Sequence, residues 1–69
     1  MEEMELENYL GKRVSILSRL GKTWRGFAES MSQAQDEEDG IEKLYLDDEE
    51  SGRCIEFPKN DIVSIKEIN

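Results

Sequence analysis

The residues best suited to hold a charged ligand lie close together near the start of this 69-residue chain. Residues 11–26 contain five basic side chains and no acid, and Trp24 lies among them. These side chains are Lys12, Arg13, Arg19, Lys22 and Arg25. Cations interleaved with an aromatic ring can bind single-stranded nucleic acid through phosphate contacts and base stacking. In the alternative that we favour, Trp24 fills the core, and the cations pair with acids of residues 2–7 or of a second subunit.

Acidic residues are concentrated further along the chain, which carries a net charge of −8. Residues 36–50 hold nine of the 17 acids, and four of these stand in one run before Gly40. The run is Asp36, Glu37, Glu38 and Asp39. It lacks the every-second-residue ligand spacing of an EF-hand loop, so we expect no metal site. We interpret it as a solvated loop that can steer a basic protein partner.

Composition argues against several kinds of chemistry. The chain has no histidine and one cysteine, Cys54. A disulfide framework, a zinc site and a Ser-His or Cys-His nucleophile are therefore not expected, and we predict neither an enzyme nor a cofactor. The acidic N-terminus is unlike a signal peptide, and no apolar run approaches the length of a membrane span. These features predict a cytoplasmic protein without a membrane partner.

The chain is long enough for one domain, residues 1–69, and its patterning predicts a mainly β fold. Leu6, Tyr9 and Leu10 lie at helical spacing and predict a short helix over residues 1–10. Alternation of apolar and polar residues then predicts five strands, in residues 12–19, 23–32, 41–47, 53–57 and 62–68. The acidic run falls in a loop of residues 33–40. So short a chain covers a sheet best by closing it into a strongly bent barrel.

The second predicted strand has apolar residues on both of its faces. Trp24 and Ala28 share one parity, and Phe27 and Met31 share the other. A strand of this kind is often bent between two faces of a barrel, and Gly26 at its centre is the residue that such a bend would use. Phe27 then points outward, where an exposed aromatic side chain indicates an interface.

Two segments resemble the Sm-like family of small β-barrels, and most closely its bacterial Hfq branch. Residues 21–31 have a glycine, four residues, a second glycine and then alternating apolar residues, the layout of the first Sm motif. Residues 57–65, with Lys59 and Asn60 in a turn, resemble the second motif. The resemblance implies an SH3-like five-stranded barrel after a short helix. It also implies a homo-oligomer joined through strands 53–57 and 62–68.

The resemblance further implies recognition of RNA or a nucleotide by Lys59 and Asn60, with Arg19, Lys22 and Arg25 contributing. The sequence departs from the family at these positions. Ser32 stands where family members carry an aspartate, and Asn60 stands where the Hfq branch carries a histidine. The acidic insertion at residues 33–40 would face the RNA channel and repel phosphates.

Two functions are therefore compatible with the sequence. The first is a non-enzymatic, oligomeric Sm-like binding domain that recognises RNA or nucleotides. The second is an acidic protein-interaction module, a nucleic-acid mimic that docks on a basic partner. The contact residues of the second would be Asp36, Glu37, Glu38, Asp39 and Phe27.

Overall fold

The computed structural model of the protein describes residues 5–68 and contains a single antiparallel sheet. Its strands are β1 (Arg13–Ser18), β2 (Thr23–Ser32), β3 (Lys43–Asp48), β4 (Cys54–Pro58) and β5 (Ile62–Glu67). They are arranged in the order β4-β3-β2-β1-β5, so β4 and β5 form the two edges of the sheet. The prediction of a mainly β chain with five strands is confirmed.

The predicted N-terminal helix is wrong within the described residues. Leu6–Tyr9 form a 3-10 helix of only four residues, and Leu10 is already extended. Four residues are too few to propagate an α-helix, so packing must hold this turn in place. Leu6 does so, since its side chain is fully buried in the core. Residues 1–4 of the predicted helix lie outside the described residues.

The core lies on one face of the sheet and follows the predicted alternation. Side chains from all five strands contribute, together with Leu6. The buried apolar residues are Leu6, Val14, Ile16, Ala28, Leu44, Leu46, Phe57 and Ile62. Trp24 packs against this cluster and meets Phe57 edge to face, with ring centroids 5.6 Å apart. Trp24 was predicted to fill the core, and it is instead half-buried at the margin of the core.

A β-bulge explains why β2 has apolar residues on both parities. Ala28 pairs with Leu46, but Ser30 pairs with Tyr45, so Glu29 is an extra residue in β2. An extra residue moves every following side chain to the opposite face. Met31 therefore returns to the core, whereas Phe27 points outward and is 46% exposed.

Gly26 is needed because another strand passes very close to it. A Cβ atom on Gly26 would lie 2.9 Å from the carbonyl carbon of Asp47 and nearer still to its oxygen. Only a residue without a side chain fits at this point of the β2–β3 pairing. The glycine allows the close approach, and the bulge follows three residues later.

Two further 3-10 helices, Ala34–Asp36 and Lys59–Asp61, interrupt the connections. The first lies in the acidic loop and the second joins β4 to β5. No helix among residues 5–68 has the length and apolar character needed to cross a membrane.

Candidate functional site

The residues predicted to bind RNA at the β4–β5 turn lie beside carboxylates. The Lys59 ammonium is 3.8 Å from a carboxylate oxygen of Glu42, and its backbone N–H donates to the Glu42 carbonyl at 2.8 Å. Asn60 is exposed in the following 3-10 turn. Arg19 approaches the Asp61 carboxylate at 3.8 Å and donates its backbone N–H to the Asp61 carbonyl. The structure thus brings Arg19 to the same turn as Lys59 and Asn60, but two carboxylates reduce the attraction for phosphate there.

Lys22 and Trp24 do not form a free stacking platform. The Lys22 ammonium lies 3.9 Å from the centroid of the Trp24 ring, which is the geometry of a cation–π contact. Another part of the same ring meets Phe57. A nucleic-acid base would have to displace Lys22 to stack on this face of the ring.

Two further basic residues form ion pairs that cross the sheet or its turns. Lys12 lies 3.6 Å from Glu67 of β5, and Arg13 holds Glu49 in the β3–β4 turn through two hydrogen bonds. The Nη2 of Arg13 donates to Oε1 at 2.8 Å and its Nε donates to Oε2. Hydrogen bonding to Arg13 lowers the pKa of the Glu49 carboxyl and raises that of the guanidinium. The acids in these two pairs, Glu67 and Glu49, differ from the predicted partners, which were the acids of residues 2–7 or of a second subunit.

Arg25, like Lys22, has no ion pair within residues 5–68, although its charge helps to lower the pKa of the Glu49 carboxyl. It lies opposite Ser15 of β1, and Ser15 in turn lies opposite Lys66 of β5. Lys66 is also exposed and without an ion pair in the described part of the chain. Both cations border an outward-facing depression of about 350 Å³ that contains no carboxylate. Its lining is Ser15, Leu17, Thr23, Arg25, Ser64, Lys66 and Ile68.

Sequence reasoning missed Lys66 as a candidate binding residue. Its place beside Arg25 depends on the pairing register of β1 with both β2 and β5. The sequence contains alternation within each strand but no direct record of that register.

The acidic loop is anchored to β3. The Lys43 ammonium lies 2.8 Å from Glu37 and 3.0 Å from Asp39, and the Ser32 hydroxyl donates to Glu37. Hydrogen bonds from Lys43 lower the pKa of both carboxyls, and the two carboxylates raise the pKa of Lys43. Asp36 and Glu38 are exposed to solvent. Two of the four acids in the predicted contact, Glu37 and Asp39, therefore form ion pairs within the chain, and the other two, Asp36 and Glu38, are available to a partner.

The main chain of β4 has a free side. Lys59 donates its N–H to Glu42, and Arg53 accepts a hydrogen bond from Asp48, so these backbone groups face β3. Main-chain groups point alternately to either side along a strand. Those of Cys54 and Glu56 are therefore directed away from the sheet.

The main chain of β5 has a free side as well. Ile68 donates its N–H to the Arg13 carbonyl, and Lys66 pairs with Ser15, so both residues face β1. By the same alternation, the main-chain groups of Ile65 and Glu67 point away from the sheet. Within residues 5–68, the sheet thus has two strand edges without a neighbouring strand, at opposite ends of the strand order.

Comparisons with known proteins assign no family to the chain. No family model matches it, and neither a curated protein nor a solved structure matches it. Within residues 5–68, acidic and cysteine side chains form no group of three or more that could hold a metal ion. Function is therefore inferred from the strand edges and the charged surfaces described above.

Proposed function

We propose that the protein is a non-enzymatic, Sm-like binding domain that assembles by pairing β4 of one copy with β5 of the next. The main support is that β4 and β5 are the two edges of the sheet. Unpaired edges add strands readily, and two different edges join copies head to tail. These are also the strands, 53–57 and 62–68, that the family resemblance implies as subunit contacts.

Side chains of the two edges complement each other. Ile55 of β4 and Ile65 of β5 are half-buried and pack against the core, so strand pairing would join them in one apolar layer. On the opposite face, Glu56 of β4 and Lys66 of β5 are exposed and carry opposite charges. Pairing of these edges extends both the apolar layer and the charge pattern from one copy to the next.

The finer fold in this proposal is a strongly bent, SH3-like barrel. The close approach of Asp47 to Gly26 and the bulge at Glu29 support it, because both features increase the bend and twist of the central strand. Each copy carries a net charge of −8, so copies repel one another at low ionic strength. Assembly is therefore expected to strengthen as salt screens this repulsion.

Replacing Glu67 tests the assembly. Glu67→Pro removes a main-chain N–H from the free side of β5 but leaves the N–H groups that face β1. Glu67→Gln is the matched control, because it removes the ion pair with Lys12 and keeps the N–H. Multi-angle light scattering should give a multiple of 8.0 kDa for the wild type and Glu67→Gln, and a monomer for folded Glu67→Pro. A wild-type protein that stays at 8.0 kDa up to millimolar concentration contradicts the proposal.

The proposed ligand of the domain is RNA or a nucleotide, held at the depression between Arg25 and Lys66. Its two unpaired cations and three hydroxyl side chains suit phosphate contacts. Fluorescence anisotropy with labelled oligouridine and oligoadenine provides the test. Arg25→Gln and Lys66→Gln should each weaken binding and reduce its salt dependence, whereas Lys12→Gln should not. Absence of binding at micromolar protein removes this part of the proposal.

A second candidate function is docking of the acidic loop on a basic partner. The observation that favours it is the anchoring of the loop by Lys43, which fixes the exposed Asp36 and Glu38 relative to β3. A fixed pair of charges loses less entropy on binding than a flexible loop does. Asp36→Asn with Glu38→Gln should reduce binding of a basic protein while leaving oligonucleotide binding intact.

A further inference from the structure

Phe27 exposes an aromatic ring on the outward face of the central strand. It lies in register between Arg13 of β1 and Asp47 of β3, so the three side chains share one face of the sheet. Its exposed fraction of 46% is large for an aromatic residue in the middle of a sheet. The bulge at Glu29 follows Phe27 and turns Met31 back toward the core. The packing of β2 on the core therefore does not need Phe27.

The ring borders a depression of about 400 Å³ whose charge is negative. The lining comprises Arg13, Phe27, Asp47, Asp48, Glu49 and Gly52, three carboxylates against one guanidinium. Arg13 binds both carboxylate oxygens of Glu49, so those two charges compensate each other. Asp47 is exposed and has no ion pair within residues 5–68, and it gives the depression its net negative charge.

Asp48 is the most buried acidic residue of this lining. It is only 3% exposed, and its carboxylate accepts a hydrogen bond from the Ser51 N–H at 2.9 Å. Hydrogen bonding from Ser51 lowers the pKa of this carboxyl. Asp48 follows Asp47 along β3, so its side chain lies on the opposite face of the sheet from Phe27, and Asp47 is the carboxylate exposed beside the ring.

We propose that this depression docks a basic segment of a partner protein, with a lysine or arginine side chain over the Phe27 ring and its charge directed at Asp47. The face of an aromatic ring attracts cations, and the Asp47 carboxylate reinforces that attraction. The same carboxylate repels nucleic-acid phosphates, which makes a basic protein segment the matching occupant. Phe27 is also a predicted contact residue of the acidic interaction module, so this proposal rests on the second candidate function. It adds Asp47 and a docking site that is separate from the acidic loop.

A labelled hexa-arginine peptide tests the site by fluorescence anisotropy on the full chain. Phe27→Leu keeps an apolar side chain but removes the ring, and should weaken binding about two- to fivefold, the range for an exposed cation–π contact. Phe27→Tyr retains the ring and should bind like the wild type. Asp47→Asn should weaken binding more than Asp36→Asn, although both change the net charge equally.

Changes in amide chemical shifts on addition of the peptide show where on the protein surface it binds. Binding at the proposed site should shift the amide signals of Phe27, Asp47 and Gly52. Equal losses of peptide affinity for Asp36→Asn and Asp47→Asn would show that the acidic loop attracts the peptide, and so would chemical-shift changes confined to residues 36–38. Either result would overturn the proposal. Unchanged affinity for Phe27→Leu would also overturn it. If Phe27→Leu instead lowers the molecular mass of the protein without peptide, a second copy covers this face and the proposed partner is wrong.

Discussion

Replacing Gly26 of β2 with alanine should damage the fold more than a glycine-to-alanine change in any of the turns. The new Cβ would lie 2.9 Å from the carbonyl carbon of Asp47 and 3.1 Å from the Cγ of Leu46. The carbonyl of Asp47 belongs to the main chain of β3, which is paired with β2. The steric clash can therefore be relieved only if β2 and β3 separate locally. Overpacking typically costs about 1–3 kcal/mol, and a backbone obstacle places this change at the upper end, ~3 kcal/mol.

Gly40→Ala is the matched control for this prediction. Gly40 has a φ of +71° but nothing within 4 Å of an added Cβ. Its alanine variant therefore bears only the conformational penalty of the left-handed region, about 1–2 kcal/mol, offset in part by lower unfolded-state entropy. Both variants add one methyl group. Gly26→Ala measures the cost of a steric clash, and Gly40→Ala measures the cost of a left-handed backbone conformation.

Urea denaturation followed by Trp24 fluorescence measures both effects. With a slope of about 1 kcal/mol per molar urea, Gly26→Ala should lower the midpoint by about 3 M and Gly40→Ala by about 1 M. For a chain with a total stability of about 3–10 kcal/mol, Gly26→Ala is then partly unfolded without denaturant. A midpoint for Gly26→Ala equal to or above that of Gly40→Ala would refute the close approach of β3 to Gly26.

Two further predictions concern charged groups. Lys43→Met should lower the thermal midpoint at neutral pH, because Glu37 and Asp39 then repel each other, and Lys12→Met should change it little. Lys43 lowers the pKa of Glu37 below its ordinary value of 4.5 and that of Asp39 below 3.8. The ion pairs therefore stabilise the fold fully at pH values above these ordinary pKa values, and this stabilisation is lost as the pH falls through the lowered pKa values of the folded protein. The difference between wild type and Lys43→Met in calorimetry should therefore shrink in acid, and a constant difference contradicts the pairing. Lys22→Gln should cost about 0.5–1 kcal/mol and alter Trp24 emission, whereas unchanged emission and stability contradict the cation–π contact.

The strand positions could be predicted because each strand keeps a period of two. The patterns over residues 12–19 and 23–32 agree with β1 and β2 to within one or two residues. The helix prediction was wrong for a different reason. Three apolar residues at helical spacing are equally compatible with a 3-10 turn that is held in place by Leu6. In so short a segment, packing of one side chain outweighs helical periodicity.

The charged sites could be predicted only in part. The sequence showed that the basic residues had acids available, but not that Arg13 would hold Glu49 or that Lys43 would fold the acidic loop onto β3. Those contacts depend on strand register and on the path of the loop, which local patterning does not contain. The bulge did leave a signal, since apolar residues on both parities of β2 require an interruption of the alternation.

The most direct test of edge-strand assembly is amide hydrogen exchange at the two free edges. In an assembled protein, the N–H groups of Cys54, Glu56, Ile65 and Glu67 are paired between copies and should exchange as slowly as amides inside the sheet. Dilution to the monomer should make the exchange of these four fast, while amides between β1 and β2 stay protected. Fast exchange of all four at the highest protein concentration would contradict assembly through β4 and β5.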